Sequence, residues 1–129
     1  MGWSFQIALL AGALVVQAQD TQRITLVTER QKRSAEGWDQ INSATVFSSG
    51  DRLRFRVSAN FAGYLYVMNR GTSGGYELLF PRSDTGGDNR IEKGRDYVIP
   101  AARGWFKVSG PPGQDIVYWL ISPVELGRE

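Results

Sequence analysis

Residues 52–57 read Arg-Leu-Arg-Phe-Arg-Val. Only an extended chain sorts that order, because side chains alternate across a strand with a period of two. Leu53, Phe55 and Val57 then share one face, and Arg52, Arg54 and Arg56 share the other. A helix would spread the same residues around its whole circumference. The segment therefore predicts a strand with one face buried and one in water. The Arg row can be read as a face for an anionic ligand. A solvated strand face is the simpler account of the same row, and it is the one preferred here.

The chain around this strand has the same character. Arg23 to Thr28 forms a first strand with Ile24 and Leu26 on one face. Residues 29–43 are polar without a clean period, so they read as a loop or short irregular helix with Trp38 anchored into the core. Ser48-Ser49-Gly50-Asp51 and Asn60 to Gly63 are turns. Tyr64 to Met68 is apolar on both faces and predicts a central strand covered on both sides. Tyr76 to Phe80 is a further strand stopped by Pro81, and Ser83 to Asn89 is a polar loop. Ile91 begins a short edge segment, Tyr97 to Ile99 ends at Pro100, and Trp105 to Val108 turns Phe106 and Val108 inward. After the turn Gly110-Pro111-Pro112-Gly113, the strand Ile116 to Ile121 is again apolar on both faces. The polar tail from Ser122 to Glu129 is expected to fray. No internal repeat and no helical period appears after residue 18. The expected fold is all-β: a small β-sandwich, immunoglobulin-like or similar, of about seven short and mainly antiparallel strands.

Ahead of the first strand, Ile7 to Val16 is an uncharged apolar run followed by Val16-Gln17-Ala18. It is too short for a membrane span of roughly 20 residues, and small or branched residues hold the positions a signal peptidase reads. A cleavable signal peptide over residues 1–18 is expected, cut between Ala18 and Gln19. A retained anchor and a buried core element are the competing readings. No Lys or Arg precedes Arg23, so the positive N-terminal region rests on the amino group alone. No Cys follows the apolar run for lipid attachment, and the chain has no Asn-x-Ser/Thr glycosylation sequon. Contact with the membrane is therefore expected only in transit. Removing 18 of 129 residues leaves about 111, enough for one domain. The division is 1–18 signal peptide, 19–44 N-terminal strand and irregular segment, 45–126 β-sandwich, and 127–129 tail.

The chain contains no His and no Cys. That excludes Ser-His-Asp and Cys-His nucleophilic sites, His- or Cys-built zinc sites, and haem or iron–sulfur ligation by those residues. No phosphate-binding Gly loop is present, and no cofactor is expected. Net charge is +2, with the Arg residues scattered, which argues against nucleic acid as a partner. Two constellations remain. Asp84, Asp88 and Glu92, with Gly86, Gly87 and Asn89 between them, form a weak candidate calcium loop. Their spacing fits no EF-hand, and a solvated loop is the simpler account. The same acids could in principle serve as a glycosidase-like pair, although a chain this short offers little room for a sugar cleft. Among the strand aromatics Tyr64, Tyr66, Tyr76, Trp105, Tyr118 and Trp119, most are expected in the core. Trp105 and Tyr118 alternate against stronger apolar faces, so they are the candidates for stacking on a sugar or anchoring a protein partner.

The order of motifs resembles a known family. The run Ser49-Gly50-Asp51-Arg52-Leu53-Arg54-Phe55 is similar to its characteristic strand start, and Gly63-Tyr64-Leu65-Tyr66 to its core strand. Leu78-Leu79-Phe80-Pro81, Tyr97-Val98-Ile99-Pro100, Phe106-Lys107-Val108 and Gly110-Pro111-Pro112-Gly113 follow in the same order. The chain thus resembles the bacterial domain-of-unknown-function family 4384 from about Phe47 to Leu126. Gln114-Asp115 stands where the family usually carries Glu. The resemblance implies an exported bacterial domain, in larger members often beside peptidase or kinase modules, and carries over no catalytic residue. The matched positions also have purely structural roles: Gly63 and Gly113 for turns, Tyr64 and Tyr66 for filling a sheet face.

The expected function is a non-catalytic binding or accessory domain of the bacterial cell envelope, periplasmic or extracellular, contacting an envelope protein or glycan. A small carboxylate-dependent hydrolase and a structural module pairing by edge strands are the alternatives.

Overall fold

The computed structural model describes residues 21–42, 44–101 and 104–127. The signal peptide expected over residues 1–18, and its expected cleavage between Ala18 and Gln19, lie outside the described residues. The alternating segment becomes the centre of one sheet. Strand β3 (Arg52–Ala59) pairs along one edge with β1 (Ile24–Gln31). Its other edge is shared by two short strands, β7 (Tyr97–Ile99) and β8 (Phe106–Lys107). Strand β2 (Trp38–Ile41) extends this first sheet beyond β1. In the second sheet, β4 (Gly63–Arg70) is central. It pairs with β9 (Ile116–Ser122) along one edge and with β5 (Tyr76–Phe80) and β6 (Arg90–Ile91) along the other. All of these pairings are antiparallel, and no helix occurs among the described residues.

The two sheets share one core. Phe55, Val57 and Ala59 come from β3, Leu65 and Val67 from β4, and Phe80, Ile91 and Ile99 complete it. Trp119 on β9 meets Phe55 on β3 edge-on, with ring centroids 5.1 Å apart. That geometry is the favoured one for an aromatic pair, and it ties one sheet to the other. Gly63 is needed for close approach and not for a turn: a Cβ there would sit 2.6 Å from Ile121 Cγ2 and 2.7 Å from the Ser122 carbonyl oxygen. Gly113 likewise leaves room for the Thr72 side chain.

Nine strands among the described residues replace the expected seven or so. Ile91 does begin a short edge strand, but β2 arises from the segment expected to be a loop or irregular helix. Its pairing with β1 is long-range information that local periodicity does not carry. Trp38 is not a core anchor. It stands opposite Gln31 and is stacked by Arg54 on the solvent side of the first sheet. Strand β4 is central in its sheet, but only Gly63, Leu65 and Val67 are buried, and Tyr64, Tyr66 and Met68 are half-exposed on a face that no other layer covers among the described residues. The tail is also tied further along than expected. Ser122 is buried, and the Leu126 N–H donates to the Tyr66 hydroxyl at 2.7 Å.

Candidate functional site

The three acids of the candidate calcium loop are not brought together. Arg82 binds Asp84 in a fork, Nε to Oδ1 at 2.8 Å and Nη2 to Oδ2 at 2.9 Å. That guanidinium holds the Asp84 carboxyl below its ordinary range. Asp88 Oδ1 accepts the Arg90 N–H at 3.2 Å, and Glu92 lies 3.9 Å from Arg95. Among the described residues no three His, Cys, Asp or Glu side chains lie close enough to hold a metal ion. The loop is also less solvated than its composition suggests. Thr85 Oγ1 donates to the Leu79 carbonyl at 2.7 Å and Asn89 Nδ2 to the Leu65 carbonyl at 3.0 Å, both from buried side chains. These bonds spend the loop's polar groups on the scaffold.

Two other carboxylates are more deeply placed. Burial pushes the Glu29 pKa up, but hydrogen bonds from Arg54 Nε at 2.6 Å and Arg56 Nε at 3.1 Å outweigh it and hold the group low. At Asp51 burial again acts upward. The Ser48 N–H at 2.8 Å and the Arg33 fork at 3.0 and 3.2 Å outweigh it, with Arg30 adding its charge at 3.8 Å. Both acids therefore stay ionised near neutrality. A general acid needs the opposite shift. These are ion clusters that fasten strands and loops.

The outer face of the second sheet is different. Antiparallel register places Ile116, Arg70 and Tyr76 in one row, Tyr118, Met68 and Leu78 in the next, and Leu120 beside Tyr66. Tyr76 is 64 % exposed, Tyr118 is 40 % exposed, and Ile116, Leu120, Leu78 and the nearby Leu126 are exposed too. Tyr76 and Tyr118 lie with ring centroids 6.3 Å apart, and the Arg70 guanidinium sits 5.7 Å from the Tyr76 ring. Together these side chains present on the order of 500 Å² of largely apolar surface, at the upper end of what a monomer's largest patch reaches. Tyr118 was legible in the sequence as an exposed aromatic. Its neighbours were not, although a signal existed. With only two layers each sheet has a single inner face, so a strand apolar on both faces must show one of them to solvent.

Trp105 is exposed as well, at 42 %, but on the opposite side of the domain. The Arg52 guanidinium lies 4.3 Å from its ring centroid, and Arg54 lies 4.3 Å from that of Trp38. Between the two indoles is an open concavity of about 420 Å³ whose walls include Gln31, Val98 and Pro100. The Arg row is thus held by stacking and ion pairing, and is not simply solvated. Trp105 and Tyr118 therefore belong to two separate surfaces.

No curated protein and no solved structure matches the chain. One family model does, over residues 46–125, a segment that runs from before β3 to the end of β9 and leaves β1 and β2 outside. The chain belongs to that family, the domain of unknown function DUF4384.

Proposed function

We propose that this protein is a β-sandwich binding domain without catalysis of its own, and that it docks an apolar surface of a partner protein on the outer face of its second sheet. One observation carries the reading. Ile116, Tyr118 and Leu120 form an unbroken exposed apolar row on β9, continued by Met68 and Leu78 on the neighbouring strands. Surface of this kind, with Arg at its edge and aromatics at its centre, has the composition of a protein interface. Isolated exposed apolar residues are ordinary, whereas a contiguous patch is not. The export expectation places the partner in the cell envelope, and a mature N-terminus at Gln19, read by mass spectrometry, is its check.

The test compares the wild-type chain with Tyr118→Lys and Leu78→Lys as bait in a native envelope fraction. A partner retained by wild type and lost by both variants, with their melting temperatures kept, supports the docking face. Equal retention by the variants refutes it. A wild-type dimer in sedimentation that the variants convert to monomer would make the partner a second copy of the chain.

A second reading has its own observation. Among the described residues β9 pairs with β4 alone, and its seven residues contain no charge and no Pro. Native edges are commonly guarded by such residues. An added strand from the partner would use that edge. Protection of β9 backbone amides from hydrogen exchange on complex formation would favour strand addition over face docking alone.

A further inference from the structure

We propose that the outer face of the first sheet binds a carboxylate-bearing polysaccharide, at a site separate from the docking face on the second sheet. The argument starts from two cations. Arg52 and Lys107 stand directly opposite each other on β3 and β8, both exposed. Like charges in that position destabilise a strand pair. The neighbouring cations do have a carboxylate partner, since Arg54 and Arg56 share Glu29. Among the described residues no carboxylate lies within ion-pair distance of Arg52 or Lys107. The side-chain hydrogen bond of Arg52 goes to the neutral Gln31 Oε1, at 3.1 Å. Folding stability alone does not account for this pair of charges. An anion bridging them does.

The surroundings select the kind of anion. The Arg52 guanidinium lies 4.3 Å from the Trp105 ring centroid and gives one hydrogen bond to Gln31, which leaves N–H donors over, and a guanidinium fork matches a carboxylate in two-point contact. Trp105 and Trp38 offer flat apolar surfaces on which the C–H faces of sugar rings stack. Trp38 is on β2, Trp105 immediately precedes β8, and both line the same concavity. The concavity carries two indoles on its walls and is open to solvent. Both features fit a chain of sugars better than a small enclosed molecule. A single-stranded nucleic acid also combines charge with rings, but it carries a phosphate at every residue and calls for a longer track of unpaired cations.

The test is calorimetry and Trp fluorescence on the purified protein with three probes: oligogalacturonate, the same oligomer as its methyl ester, and oligo-dT. The acid should bind at least about tenfold more tightly than the ester, because only the charge differs. Arg52→Gln and Trp105→Ala should each weaken binding about tenfold. Lys107→Gln should weaken it several-fold while raising the melting temperature, since the like-charge pair is relieved. Its side chain is exposed, so this variant decides the matter even where the other two fold poorly. Tyr118→Lys should leave binding unchanged. Equal affinity for acid and ester, binding to neither, or tighter binding of oligo-dT would overturn the proposal.

Discussion

Truncating one leucine on each face of the second sheet distinguishes a covered face from an open one. Leu65 on β4 is 0 % exposed and lies in the shared core. Leu65→Ala removes its transfer free energy and leaves a cavity walled by other core side chains. Together these cost about 2–5 kcal/mol. Leu120 on β9 is 44 % exposed. Close to half of its surface already meets water, and solvent fills the space left by truncation, so no cavity term arises. Scaling about 0.8 kcal/mol per buried methylene by that exposure leaves about 1 kcal/mol for Leu120→Ala. For a domain near 100 residues each kcal/mol shifts the melting temperature by about 4–8 °C. Leu65→Ala should therefore melt at least about 8 °C below wild type, and Leu120→Ala about 4–8 °C below it. Urea unfolding is the assay, with midpoints read at unchanged slope so that both losses refer to the same two states. A loss at Leu120 equal to that at Leu65 would mean that the outer face is already covered in the free protein. The docking face would then have no basis.

Three further outcomes follow from the geometry. Gly63→Ala should cost about 1–3 kcal/mol, because its Cβ meets the Ser122 carbonyl, which cannot retreat without opening the β4–β9 ladder. Gly71→Ala, with nothing within 4 Å, should stay within about 0.5 kcal/mol in the same melts, and equal effects would discount the close approach. Glu29→Gln should lose about 1–3 kcal/mol at neutral pH, because it leaves Arg54 and Arg56 without their charge partner. The Glu29 pKa is lowered on folding, so its contribution is complete above the unfolded value of about 4.3 and is lost as pH falls through the folded value. The gap between wild type and Glu29→Gln should therefore close in acid melts, and a gap independent of pH would remove the ion cluster as its cause. Millimolar Ca²⁺ should leave the melting temperature unchanged, because Asp84, Asp88 and Glu92 each have a separate local partner. A site occupied at a hundred times its Kd would add about 2.7 kcal/mol, so a rise of many degrees would show that the acids do converge.

Much of the strand order was legible in the amino-acid sequence, because strand signals are local. Alternation at 52–57 named both the strand and its inner face, and Phe55 and Val57 are indeed buried. Pro81 and Pro100 do end β5 and β7. The exposure of Trp105 and Tyr118 was also legible, since each alternates with a more apolar neighbour.

Pairing and coverage were not legible, and the reason is physical. A period of two says that a strand has two faces; it does not say whether a second layer exists to cover each. In β4 and β9 both faces are apolar, and only the packing of the sheets decided that Leu65 and Trp119 point inward while Met68 and Tyr118 meet solvent. Strand β2 exists because β1 offers it an edge, and that edge places Trp38 on the same outer face as Trp105, from a stretch with no period of its own. Asp84, Asp88 and Glu92 are close in sequence but are each held by a nearby Arg residue, whereas Arg52 and Lys107, 55 positions apart, stand side by side. Local sequence determined most of the strands and, where one face is polar as in β3, which face turns inward. Long-range pairing alone decided which faces stayed open, and the two candidate binding surfaces are the faces left over when one small core was closed.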